Sequence, residues 1–165
     1  MREKGWFGVS NNPNNNTPED DYLRHIATRG LGDTELDDVE ARWGTAHFGK
    51  QMDLVLQIRG SEDYFIFDAE TVEELVLGRF DPDTNFMPQV NLQDYGGAEK
   101  GVSRRHALII RREGLLNLVD SGSHNGTFLN GQRLVPNQPR LLRDGDELRL
   151  GYLVLSVRFV RRQIG

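Results

Sequence analysis

Cysteine is absent from the 165-residue chain. That excludes a disulfide framework, thiolate nucleophiles and zinc–thiolate sites, and it makes a cytoplasmic protein the expectation. No stretch approaches the roughly 18 uninterrupted apolar residues that a membrane span needs. The opening residues, Met1-Arg2-Glu3-Lys4-Gly5-Trp6, lack the apolar run of a signal peptide. Neither membrane nor secretion is therefore expected. Aromatic residues are few. Phe128, Tyr152 and Phe159 in the C-terminal third are too scattered to form a base-stacking platform. His25, His47, His106 and His124 form no H-E-x-x-H or H-x-x-E-H pattern, so no metal site is expected. A Walker A sequence is also missing. In Gly122-Ser123-His124-Asn125-Gly126 the serine stands one place early for a G-x-S-x-G nucleophile, and a strand follows it where that motif needs a helix. A hydrolase reading using Ser103 or Ser123 with His106 or His124 and Asp120 or Asp146 is thus weak. The expectation is a protein that is not an enzyme and carries no cofactor.

Charge is unevenly spread. Residues 1–50 carry six Lys/Arg against nine Asp/Glu, residues 51–100 three against eleven, and residues 101–165 eleven against five. A basic C-terminal third can attract anions, nucleic acid included. The overall acidity and the sparse aromatics weigh against nucleic acid, and Arg111, Arg112, Arg158, Arg161 and Arg162 read as solvated strand and tail residues. Steep salt dependence would mark a backbone-phosphate binder.

Residues 1–50 read as a flexible acidic extension. Ser10 to Asn16 is too polar to build a core. Thr17-Pro18-Glu19-Asp20 has the signals of a helix start, and Tyr22, Leu23, Ile26 and Ala27 line one face of a short helix ending at Gly30. Thr34 to Trp43 reads as a second short piece. From Met52 the period changes to that of strands. Strand-like runs fall at 52–59, 64–67, 72–77, 107–112, 115–120, 127–129, 140–142, 147–150 and 152–159, with turn residues between them. The long interval 80–102 reads as a loop with one short strand near Val90–Leu92. Many short strands at close spacing point to an all-β sandwich over residues 51–162.

Small polar residues cluster where these runs end. Gly78-Arg79 closes one run, and Arg79 can offer a bidentate fork to an oxyanion. Ser103-Arg104-Arg105-His106 follows Gly101, and its serine hydroxyl can donate to phosphate while His106 braces the loop. Ser123-His124-Asn125-Gly126-Thr127 follows Leu118-Val119-Asp120 and precedes Phe128-Leu129-Asn130-Gly131. There Gly126 permits a tight loop, and the Asn125 amide can pair with the main chain of an extended peptide.

In this order, these pieces resemble the forkhead-associated (FHA) domain, in a small bacterial type with an N-terminal extension. The resemblance covers roughly residues 52–160. It implies a sandwich of two antiparallel sheets that reads phosphothreonine downstream of a Ser/Thr kinase. It assigns Arg79, Ser103, Arg104 and His124 to phosphate and Asn125 to the ligand main chain. His124 takes a variable place where a threonine hydroxyl often stands. Gly78, His106, Gly126, Asn130 and Gly131 are implied to be architectural. A structural or assembly module of the same fold without phosphate reading is the alternative. Thr34 and Thr17 each precede an acidic residue by three, and either can be a phosphorylation site through which the extension docks into its own groove. The rival reading of both threonines is a helix cap.

Overall fold

The computed structural model describes residues 44–163, and those from Ala46 onward belong to one compact unit. The expected helices near Thr17 and Thr34, and the two threonines themselves, lie outside the described residues.

Eleven strands are described: β1 Met52–Ile58, β2 Tyr64–Asp68, β3 Glu74–Gly78, β4 Val90–Asn91, β5 Arg105–Arg112, β6 Leu115–Asp120, β7 Thr127–Leu129, β8 Gln132–Arg133, β9 Arg140–Leu142, β10 Glu147–Leu150 and β11 Leu153–Arg161. They form two sheets, one ordered β2-β1-β11-β10-β7-β8 and the other β4-β3-β5-β6-β9. The sandwich expected from strand spacing is present. The pairing is antiparallel except that the short β4 runs parallel to β3. A parallel neighbour needs a crossover longer than a hairpin, and the chain between Arg79 and Gln89 supplies it.

Strict alternation explains the layering. Leu54, Leu56 and Ile58 of β1 stand opposite Phe159, Val157 and Leu155 of β11, and all six side chains point inward. Leu75 and Leu77 of β3, Ile109 of β5 and Leu116 and Leu118 of β6 meet them from the other sheet. A shift of one residue in either strand would turn this whole set to solvent, so burial specifies the register. Phe48, ahead of β1, is fully buried with its ring centroid 5.1 Å from that of Phe159.

Two connections could not be read from the strand-like runs. Gln132–Arg133 pairs with Phe128–Leu129 across Asn130-Gly131, whose φ values of 48° and 83° are those of a tight hairpin turn. Gln93–Tyr95 makes a single 3-10 turn within the long loop. The loops after β3, before β5, after β6 and after β10 are tied to one another by hydrogen bonds, and that junction holds the residues singled out above.

Candidate recognition site

The site is assembled by backbone contacts that leave no room for side chains. Gly78 closes β3 against the loop before β5, where a Cβ would stand 2.0 Å from the Arg104 carbonyl oxygen. Arg79 donates its backbone N–H to that same carbonyl at 3.1 Å. Its Nε donates to the carbonyl of Val102, the residue before Ser103. Arg79 is thus half-buried. The packing fixes its stem and aims the guanidinium from a constrained base, which lowers the entropy lost on gripping an oxyanion. Gly78→Ala is expected to lower stability by about 1–3 kcal/mol, because backbone must move to admit the methyl group. A urea unfolding midpoint measures it.

His106 is fully buried and joins two loops. Its Nδ1 accepts from the Ser103 backbone N–H at 2.9 Å, so the ring proton sits on Nε2 and is donated to the Gly126 carbonyl, also at 2.9 Å. Desolvation pushes the imidazole below the ordinary histidine value of 6.5, against the opposing pull of the Gly126 bond and of Asp120. A depressed histidine pKa means that the unfolded chain binds the proton first as pH falls. The stability His106 contributes is therefore complete above about pH 6.5 and is lost as pH drops toward the folded value. Nitrogen NMR at about pH 6 should show His106 neutral in the Nε2–H form. A ring that titrates at the ordinary value would contradict this arrangement.

Linked to His106 through Ser103 and Gly126 are the residues that the resemblance assigns to a ligand. Ser103 Oγ accepts the His124 backbone N–H at 3.1 Å, which leaves the hydroxyl proton to donate elsewhere. Asn125 donates through Nδ2 to the Gly101 carbonyl at 2.9 Å, while its Oδ1 makes no hydrogen bond among the described residues. Gly101 has φ 77°, and a Cβ there would collide with the Asn125 amide at 2.4 Å. Asn125 and His124 are exposed. Four of the five residues assigned to ligand contact, Arg79, Ser103, His124 and Asn125, are therefore linked through a single set of loop-to-loop bonds.

Arg104 differs from them. Its Nη1 bonds Asp81 at 2.9 Å and Asp83 at 2.5 Å. The Asp83 hydrogen bond holds its pKa above that of an ordinary arginine, while the Thr84 hydroxyl holds the Asp81 carboxyl below the usual range. Arg104 stays charged but is already shared between two carboxylates. Arg105, next along, stacks 3.7 Å from the ring centroid of Phe86 and leaves the phosphate loops. Asn130 is also remote from the ligand groups. It bonds Asp146 at 2.8 Å and accepts the Glu147 N–H at 2.8 Å, so it anchors the hairpin to β10.

The organiser of the Ser123 loop is visible in the sequence only as a candidate hydrolase acid. Asp120 is 2% exposed and accepts four hydrogen bonds, from Gly122 N, Ser123 N, Ser123 Oγ and Thr127 Oγ1. Ser123 Oγ in turn accepts the Gly126 N–H at 3.0 Å. The signal was an aspartate followed three places later by serine, as in a side-chain-closed turn. Asp81 and Thr84 repeat it with a bond of 2.7 Å.

A β-sandwich whose polar groups converge on linked end loops, over a rigid buried brace, defines a loop-based recognition module. Residues 75–151 match the FHA domain family. A chain solved in a structural and functional analysis of phosphothreonine-dependent FHA domain interactions is 29% identical, with a TM-score of 0.51 over 68% of this chain and 99% of that one. The FHA domain of an Arabidopsis thaliana hypothetical protein is 26% identical, with a TM-score of 0.56 over 74% of this chain and 97% of that one. The oxoglutarate dehydrogenase inhibitor of Corynebacterium diphtheriae is 44% identical over 50 residues, or 30% of this chain and 33% of the relative. The chain thus spans about a third of the length of that curated relative. This chain carries an FHA domain, matched over residues 75–151.

Proposed function

We propose that this protein is a phosphothreonine-dependent adaptor, which recognises a partner after a Ser/Thr kinase has marked it. The observation that carries this reading is the convergence of Arg79, Ser103, His124 and Asn125 on loops that Gly78 and His106 hold together. Arg79 supplies the fork for two phosphate oxygens, and the Ser103 hydroxyl donates to a third. Asn125, with Oδ1 uncommitted, receives the ligand main chain and so tolerates varied side chains. Arg104 is held by Asp81 and Asp83, so its contribution to the phosphate is secondary to that of Arg79. His124, exposed beside Ser103, adds a ring nitrogen at the phosphate. None of these groups is asked to break a bond, which fits a reader of a modification.

Ion pairs weaken the case for nucleic acid as the partner. Arg158 is paired with Asp144, and Arg162 with Asp53 and Asp68, so these two members of the basic third are neutralised by nearby carboxylates. Among the described residues no helix is long and apolar enough to cross a membrane. A cytoplasmic setting fits a chain without cysteine. Selection from a degenerate phosphothreonine peptide library, run beside its unphosphorylated counterpart, tests the reading. Enrichment that requires the phosphate supports it, and equal enrichment from both libraries overturns it.

A further inference from the structure

Next to the recognition loops, the outer face of the six-stranded sheet carries a row of stacked cations and rings. Phe128 of β7 stands opposite Arg149 of β10 on one side and Arg133 of β8 on the other. The Arg149 guanidinium lies 3.7 Å from the Phe128 ring centroid and 6.0 Å from that of Tyr152. Arg133 lies 5.8 Å from the Phe128 centroid. Neither arginine meets a carboxylate among the described residues, unlike Arg59, Arg104, Arg158 and Arg162. Stacking orients a guanidinium plane without neutralising it, so both retain charge and free donors.

The row is joined to the recognition loops. Gly151, in the turn after β10, donates its N–H to the Gly126 carbonyl at 3.0 Å. Tyr152 donates its N–H at 2.8 Å to the carbonyl of Lys100, whose neighbour Gly101 holds the Asn125 amide. A Cβ on Gly126 would meet Arg133 Nε at 2.8 Å, so that side chain passes against the backbone immediately after Asn125. Tyr152 itself is 74% exposed, and its ring extends the row toward solvent.

We infer that Arg133, Arg149 and Tyr152 form a second contact surface for the same ligand, one that takes acidic residues flanking the phosphothreonine. The inference rests on the phosphothreonine reading above and adds a charge preference to it. Peptide carboxylates are the fitting occupant because the two guanidinium groups are oriented and meet no carboxylate among the described residues, Arg149 spending only Nη1 on the Gly151 carbonyl at 2.8 Å, and because the row begins where Asn125 would hold the peptide main chain. An extended ligand rises about 3.3 Å per residue, so a few residues beyond the phosphate bring carboxylates over the row.

The test uses the full chain and three labelled phosphothreonine peptides at one fixed salt concentration. One has neutral flanks, one has acidic residues before the phosphothreonine, and one has them after it. For the unmodified protein, one acidic peptide should bind about 5–10-fold tighter than the neutral one, as two partly exposed charge pairs allow. Arg133→Gln combined with Arg149→Gln should erase that advantage while leaving the neutral peptide's affinity unchanged. Arg133→Gln alone leaves the Arg149 stack on Phe128 intact and should erase part of it, which guards against a packing artefact. Equal affinity for all three peptides, or an advantage that survives the double substitution, overturns the inference and leaves phosphate reading standing. So does a labelled single-stranded oligonucleotide whose binding the double substitution abolishes while the peptide preference persists. If no peptide shows phosphate-dependent binding, the phosphothreonine reading fails and the charge preference fails with it.

Discussion

Replacing Arg79 with alanine is expected to remove phosphopeptide binding while leaving the sandwich folded. Truncating one side of a charge-assisted pair costs about 2–5 kcal/mol, which is roughly 30-fold to several thousand-fold in affinity. The stem of Arg79 is half-buried and its Nε bonds the Val102 carbonyl, so a small loss of stability accompanies the change. Arg79→Lys separates these effects. A lysine keeps the charge but lacks the planar fork and the bond to Val102, so it should recover only part of the affinity. Titration calorimetry with one phosphopeptide, beside urea unfolding of each variant, checks both halves. Unchanged affinity in Arg79→Ala would place the phosphate elsewhere.

The second large effect falls on stability. Asp120→Ala leaves four donors without their acceptor, among them the hydroxyl of the fully buried Thr127. An unsatisfied buried donor costs about 1–3 kcal/mol, and the set should cost about 3 kcal/mol in all, since the exposed Gly122 N–H regains water. The urea midpoint should fall with little change in slope. Asp120→Asn keeps one carbonyl oxygen and should lie between the two. Because Asp120 also closes the turn that presents His124 and Asn125, phosphopeptide affinity should fall together with stability. A loss of stability with affinity intact would mean that the loop holds its shape without this carboxylate.

The ease of reading the fold from the chain has a physical origin. Alternation in Met52–Ile58 and Leu153–Arg161 is strict because one face is buried, so the strands announce themselves. Phe48 gave no such signal. It stands alone between His47 and Gly49-Lys50 with no apolar period around it, and its burial against Phe159 depends on tertiary packing. The short strand expected near Val90–Leu92 is present as Val90–Asn91, whereas Gln132–Arg133 has too few residues to show a period. In the site, Arg79, Ser103 and Asn125 could be singled out because they sit where apolar runs stop. Asp120 closes such a run but reads only as a candidate hydrolase acid, and its role appears only once the four donors are seen around it. The engagement of Arg104 with Asp81 and Asp83 joins residues more than twenty places apart, which no local pattern reveals.

The central claim is that the linked end loops hold a phosphothreonine. Amide and side-chain NMR of the full chain, titrated with one peptide in phosphorylated and unphosphorylated form, tests it most directly. With the phosphopeptide, the Arg79 guanidinium signal, the Ser103 and His124 amides and the Asn125 side-chain amide should shift together. The unphosphorylated peptide should leave them in place. Shifts centred on other loops, or equal shifts with both peptides, would contradict the account.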